Sequence, residues 1–224
     1  SRRDVKELIR KGLVTVNGVV VKDSSLKIDE NSDSVFLNGE ELTLKKHIYI
    51  MLNKPQGVVS ASESEQDETV VDLVPDSLYR KGLFPAGRLD KDTTGFSLIT
   101  DDGDFAHRIL SPARHVDKTY IATVSDKIDF AKAKKAFSDG VVLGDGTVLL
   151  SAQLELIEEN ENQVFKVVIK EGKYHQIKRM FASLGTTVIE LKRIAIGGLS
   201  LDFSLKEGEA RIITDDELKM IEKS

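Results

Sequence analysis

The run Gly87-Arg88-Leu89-Asp90-Lys91-Asp92-Thr93-Thr94-Gly95 is where the sequence could do chemistry. Two glycines bracket a loop with a carboxylate at its tip, and the apolar run from Phe96 to Thr100 leaves that loop as a strand. Glycine supplies unusual φ values and a strand supplies rigidity, so the pattern predicts that Asp90 is held pointing into a cleft. A carboxylate fixed in this way can attack an electrophile or stabilise an electron-poor centre. The same residues also suit an Asp-rich turn closed by its own side chains. Other chemistries find little support. The 224 residues include no cysteine, which removes disulfides, thiolate catalysis and sulfur-bound metals. The histidines at 47, 107, 115 and 175 show no paired metal-ligand spacing, and neither an HExxH pattern nor a phosphate-loop glycine pattern occurs. No metal and no organic cofactor are expected.

The elements that must position Asp90 belong to a chain long enough for one or two domains with a real core. At 40% apolar and 31% charged residues it reads as soluble and globular, and no apolar run reaches membrane-spanning length. The chain begins Ser1-Arg2-Arg3 with no visible signal peptide. A reducing compartment, the cytoplasm, is the expectation, and a monomer with no membrane partner. The net charge of −5 argues against nucleic acid only as a sum, because phosphate contacts depend on local field. From Ser1 to Ile28 there are seven Lys or Arg against three Asp or Glu, and from Lys170 to Arg193 six against two. These two basic islands are candidate contact surfaces, or solvated helix faces.

Asp4 to Lys11 places Val5, Leu8 and Ile9 at helical spacing, with Arg2, Arg3, Lys6, Arg10 and Lys11 outside. Val14 to Val16 and Val19 to Val21 flank Asn17-Gly18, a hairpin signal that Asn38-Gly39 repeats. Residues 43 to 47 read as a linker. A second unit starts with the strand Ile48 to Leu52 running into Asn53-Lys54-Pro55-Gln56-Gly57, and Glu63 to Asp76 reads as a surface loop and helix start. A helix carrying Phe105, Ile109 and Leu110 is closed by Pro112, and Lys118 to Val124 alternates as a strand. An amphipathic helix from Phe130 to Phe137, a hairpin around Gly144-Asp145-Gly146 and strands at 153–157 and 164–169 follow. Gly172 is expected to turn the chain from strand into a basic helix, and Asp215 to Glu222 forms an acidic one.

Gly87-Arg88-Leu89-Asp90 with Thr93-Thr94-Gly95 resembles the signature of the pseudouridine synthases, in particular the RsuA/RluB/RluE/RluF branch. Asn53-Lys54-Pro55-x-Gly57, His107 to Pro112, Lys118-Thr119-Tyr120 and Glu171 to Phe181 resemble further motifs of that family. The resemblance implies that Asp90 is the catalytic aspartate, Tyr120 the active-site tyrosine, and Lys178 the cation that contacts Asp90, with Arg179 as the fallback. The basic helix and its hairpin resemble the S4 RNA-binding domain, which implies a grip on structured RNA and an earlier helix for which there is no room ahead of Ser1.

The fold class these readings give is α+β: an S4-like α/β module over 1–45, N-terminally truncated, followed over 48–224 by a mixed, mainly antiparallel pseudouridine synthase catalytic domain. The implied activity is isomerisation of a uridine in 16S ribosomal RNA, at position 516 in the RsuA type. The alternatives are a relative acting on 23S RNA and a non-catalytic RNA-binding or ribosome-assembly module. Arg2, Arg3, Lys6, Arg10 and Lys11 on the first helix, with Arg88, Lys173, Arg179 and Arg193, are the expected RNA contacts.

Overall fold

Two Asn-Gly pairs shape the N-terminal part of the chain. Asn17 and Gly18 take φ 51° and 80°, and Asn38 and Gly39 take 52° and 84°, the left-handed pair that a tight hairpin turn requires. They join β1 (Val14–Val16) to β2 (Val19–Val20) and β3 (Val35–Leu37) to β4 (Glu40–Glu41), in a sheet of order β2-β1-β3-β4. Helix α1 (Arg2–Arg10) precedes them. The computed structural model describes residues 2–29, 32–42, 46–111, 114 and 116–222, and the chain divides into two compact units, Ser1–Lys46 and His47–Ser224. No described residue of the first unit is fully buried.

The second unit is built on a sheet of order β13-β5-β7-β11-β8-β10-β9. Its strands are β5 (Tyr49–Lys54), β6 (Phe84–Pro85), β7 (Thr94–Thr100), β8 (Lys118–Val124), β9 (Gln153–Glu159), β10 (Gln163–Ile169), β11 (Val188–Ile196), β12 (Leu199–Ser200) and β13 (Ala210–Ile212), with β6 paired to β7 and β12 to β11. Among the described residues β7 and β11 run parallel and the other neighbours antiparallel. Four helices complete the unit: α2 (Gly103–Leu110), α3 (Phe130–Asp139), α4 (Gln176–Ser183) and α5 (Asp215–Ile221).

Period-two alternation decides which side chains point inward. Strands β8 and β10 bury every second residue, so Tyr120, Ala122, Val124, Phe165 and Val167 face a core shared with α3 and α4. Phe137 and Phe165 pack there in tilted contact with Phe181, at ring-centroid distances of 5.2 and 5.4 Å. Each such ring contributes about 1.5–3 kcal/mol of burial. A second cluster joins Phe96 and Leu98 of β7 to α2 and α5.

A single register row ties the Asp90 loop to the centre of the sheet. Lys54 pairs with Gly95, Gly95 with Arg193, and Arg193 with Tyr120, so the row crosses β5, β7, β11 and β8. Gly95 is required at this crossing: its φ is +96°, and a Cβ would lie 2.2 Å from the carbonyl oxygen of Arg193.

Several segments differ from the sequence expectation. Residues 63–76 form turns and no helix begins there. The hairpin around Gly146 reduces to one bridge, Val142 to Val148, because Val142 and Val148 are both exposed and no further strand pairs with them. Helix α2 ends at Leu110 with Ser111 as its cap, while Pro112 and His115, with part of the 43–47 linker, lie outside the described residues. The residue that takes the left-handed turn into α4 is His175, at φ 48°, and not Gly172.

Candidate active site

The Asp90 loop is clamped from below. Lys54, which closes β5, is fully buried, and its ammonium donates to the carbonyl oxygens of Pro55 at 3.0 Å, Lys91 at 3.2 Å and Thr93 at 2.8 Å. The Gly57 amide donates to Lys91 O at 2.8 Å. On the other side Ser60 both donates to Leu89 O and accepts from Leu89 N, each at 3.0 Å. The Thr93 amide donates to Asp90 O at 3.0 Å and closes the turn. The Asn-Lys-Pro-x-Gly segment and the Gly-Arg-Leu-Asp segment are thus one structural piece. Burial pushes Lys54 down to about 8, with the opposing pull of the Asp92 and Asp90 carboxylates holding it there. It carries a charge at neutral pH on that account.

Asp90 is 28% exposed in its side chain and stands between two recesses. The inner one is small, about 60 Å³, and is lined by Asp90, Thr93, Tyr120, Ile169 and Leu191, with Arg88, Lys173 and His175 shared between it and the other. The outer one, about 590 Å³, opens past Arg88, Lys173, Tyr174 and Lys178. Tyr120 is 7% exposed, so its ring forms part of the wall of the inner recess.

Helix α4 delivers the cations. Ile177, Met180 and Phe181 bury its apolar face, which turns Lys178 toward the loop. Its ammonium lies 3.4 Å from Asp90 Oδ2 and 2.6 Å from Asp92 Oδ1. The hydrogen bond from Lys178 holds the Asp92 carboxyl below the usual carboxylate range. His175 Nε2 stands 3.6 Å from the other oxygen of Asp90. Arg179 points away and pairs with Asp145.

Asp90, Tyr120 and Lys178 therefore converge, with Arg88 and Lys173 at the rim. Arg2, Arg3, Lys6 and Arg10 on α1, and Lys11 just after it, are exposed. Arg193 must be corrected. It is 3% exposed, and its Nε donates to Phe96 O at 2.7 Å inside the sheet, so it cross-braces β11 to β7 and offers no surface to a phosphate. The charge count treated it as part of a basic island; its inward register on β11 could not be read from charge. Sequence reasoning also missed Lys54, Asp92 and His175 as neighbours of the site. Among the described residues no group of three or more His, Asp or Glu is placed to hold a metal ion.

The model of the RNA pseudouridylate synthase family matches residues 48–183, a range that holds Asp90, Tyr120 and Lys178, and the S4 domain model matches residues 1–34. The chain belongs to the pseudouridine synthases. Ribosomal small subunit pseudouridine synthase A of Vibrio cholerae is 43% identical over 224 residues, covering 100% of this chain and 94% of that one. RNA pseudouridine synthase YtzG of Bacillus subtilis is 41% identical over 225 residues, with 99% and 92% covered. A crystal structure of a pseudouridylate synthase superposes with a TM-score of 0.72 at 38% identity, over 99% of this chain and 94% of that one. As a pseudouridine synthase the protein is an isomerase, and its mixed α+β body follows an S4 module at the N-terminus. No helix among the described residues is long and apolar enough to cross a membrane.

Proposed function

We propose that this synthase isomerises one uridine of 16S ribosomal RNA, position 516, with Asp90 as the reacting carboxylate. The observation that carries the chemistry is the placing of Asp90 between a small recess walled by Tyr120 and an outer cleft edged with Arg88, Lys173 and Lys178. The reaction breaks the C1′–N1 bond, turns the uracil and forms a C1′–C5 bond. C5 gives up a proton and N1 gains one, so atoms and electrons balance without redox chemistry or a cofactor.

Asp90 adds to the sugar or stabilises the electron-poor ribose while uracil is free. Lys178 at 3.4 Å supplies the carboxylate with a counter-charge as the cleft fills and water leaves. Tyr120 offers a flat face to the loose uracil and a phenol for proton transfer. Extracting the base costs a few kcal/mol of unstacking. Phosphate contacts from Arg88, Lys173 and the basic helix α1 offset that. Two curated relatives with this architecture bear, respectively, a small-subunit ribosomal name and an RNA pseudouridine synthase name, and the former supports the choice of RNA. The protein acts as a cytoplasmic monomer in this reading.

The test is tritium release from C5-labelled RNA. Unmodified 16S and 23S fragments and partly assembled small subunits are incubated with the protein, and products are mapped by reverse-transcription stops. Release from 16S RNA with a new stop at position 516 is expected. Modification confined to 23S RNA would overturn the choice of substrate.

A further inference from the structure

His175 is a strained residue with a visible consequence. It caps α4 at φ 48° and ψ 34°, a left-handed conformation uncommon for a residue with a Cβ, and its side chain makes no capping hydrogen bond. That conformation aims the imidazole at Asp90, 3.6 Å away, and lays its ring against Tyr174 at a centroid distance of 3.8 Å and an angle of 17°. Tyr174 is 74% exposed. One face of its ring is closed by the imidazole and it adds little to any core, yet it stands at the rim of the outer cleft beside Arg88, Lys173 and Lys178.

An aromatic ring with one closed and one open face next to a basic groove is the arrangement with which proteins hold single-stranded nucleotides. Tyr174 lines only the outer cleft, whereas the inner recess between Asp90 and Tyr120 excludes it. The ring is therefore placed for a base other than the one that reacts. When a uridine leaves the stack its neighbour loses a partner, and a ring at this spot replaces it.

We propose that Tyr174, backed by His175, is the stacking ledge for the nucleobase adjacent to the target uridine in the RNA. This rests on the reading of the cleft as the uridine site and adds a second base-binding position to it.

A double-mutant cycle tests the ledge. The probe is a stem-loop copying the 16S segment around position 516, with a single abasic nucleotide placed at each loop position in turn. The full chain carrying Asp90→Asn binds these RNAs without turning them over, and affinity is read by fluorescence anisotropy. At one position next to the target, removing the base should cost about tenfold in affinity, Tyr174→Ala should cost about the same, and the two together should cost no more than either. Tyr174→Trp should retain affinity for the intact RNA. If the losses add at every position, the tyrosine acts through the fold, and the ledge is overturned. Unchanged binding by Tyr174→Ala overturns it as well. Wild-type turnover on the same stem-loop is followed separately: absence of pseudouridine with the coupling intact sinks the substrate reading and leaves the ledge.

Discussion

The Lys178 ammonium lies 2.6 Å from Asp92, nearer than the 3.4 Å that separates it from Asp90. One cation thus serves two carboxylates. Lys178→Met deprives both carboxylates of the ammonium they share and should lower the single-turnover rate by roughly 100-fold or more. Asp92→Asn removes only the competitor for the ammonium and should cost less than about tenfold. The double variant should recover part of the loss seen in Lys178→Met, because one of the two repelling charges is gone. Equal rates for Lys178→Met alone and in the double variant would show that Asp92 does not bear on Asp90.

Asp90→Asn should abolish turnover and leave RNA affinity within a few fold. The change removes a charge at the reacting centre and leaves the phosphate contacts in place. Tritium release and anisotropy, measured on the same preparation, check the two halves. Measurable pseudouridine formation by this variant would remove Asp90 from the role of reacting group.

Helix α1 and the turn that follows it present Arg2, Arg3, Lys6, Arg10 and Lys11 to solvent, with Lys11 paired to Glu7 at 2.9 Å. Neutralising all five should weaken RNA binding and flatten its salt dependence. Every phosphate that goes without its cation lowers the slope of log K against log salt by about 0.7 to 0.9. A slope equal to that of the wild type between 50 and 200 mM salt, the range over which such pairing is most visible, would show that the helix does not touch the RNA backbone.

Lys54→Met leaves the carbonyls of Pro55, Lys91 and Thr93 without their common donor. At neutral pH the variant should be less stable, at about 1–3 kcal/mol for each carbonyl left unsatisfied. The pH dependence has a definite sign. Burial lowers Lys54 to about 8, below the ordinary value of 10.5, so between those limits the unfolded chain binds more protons than the folded one. Wild-type stability therefore gains with rising pH in that window through Lys54, and its advantage over Lys54→Met should widen. Urea titrations at pH 7, 8, 9 and 10 check this; a gap that stays constant or narrows over the series would mean that burial does not hold Lys54 below its ordinary value.

What the sequence made legible was local. The Asp90 loop showed itself through two glycines and an adjoining strand, and both Asn-Gly turns through their dipeptides, because each signal depends on neighbours within a few residues. The register row from Lys54 through Gly95 and Arg193 to Tyr120 was not legible, since β7 and β11 are distant in sequence and pair in parallel. Lys54 reads in sequence as a strand end before a proline, and only the tertiary fold brings the carbonyl oxygens of Lys91 and Thr93 to its ammonium. Arg193 was misread for the same reason, as charge counting carries no information about which face of a strand is inside. The apolar runs 141–143 and 148–150 flank Gly144-Asp145-Gly146 as a hairpin would, yet make one bridge, an instance of pattern overridden by what the rest of the fold offers to pair with. Nothing short of coordinates could place His175 in the left-handed region.

The C-terminal edge is held by a network of charges. Arg211 on β13 makes a two-pronged ion pair with Glu217 of α5, at 2.9 and 2.7 Å, and its Nε reaches Asp202 at 2.7 Å. Glu217 also accepts from the Thr214 amide at 2.9 Å, while its own amide donates to the Thr214 hydroxyl at 3.3 Å, a capping box that starts α5. The Arg211 guanidinium is the main reason that the Glu217 carboxyl is held down to about 2, against an ordinary 4.5. A depressed carboxylate stabilises the fold above its unfolded value and loses that contribution as pH falls toward the folded one. The window is therefore from about 4.5 down to about 2. Glu217→Gln should cost about 2 kcal/mol at pH 7, where the charge-assisted pair is intact. Wild type and variant should converge as acid removes the charge from the wild-type side chain, with more than half of the difference gone near pH 3, roughly midway in the window by linkage. Urea unfolding of both proteins at pH 6, 4 and 3 measures the gap, and a gap of constant size across that series would show that the Arg211 pair does not stabilise the edge.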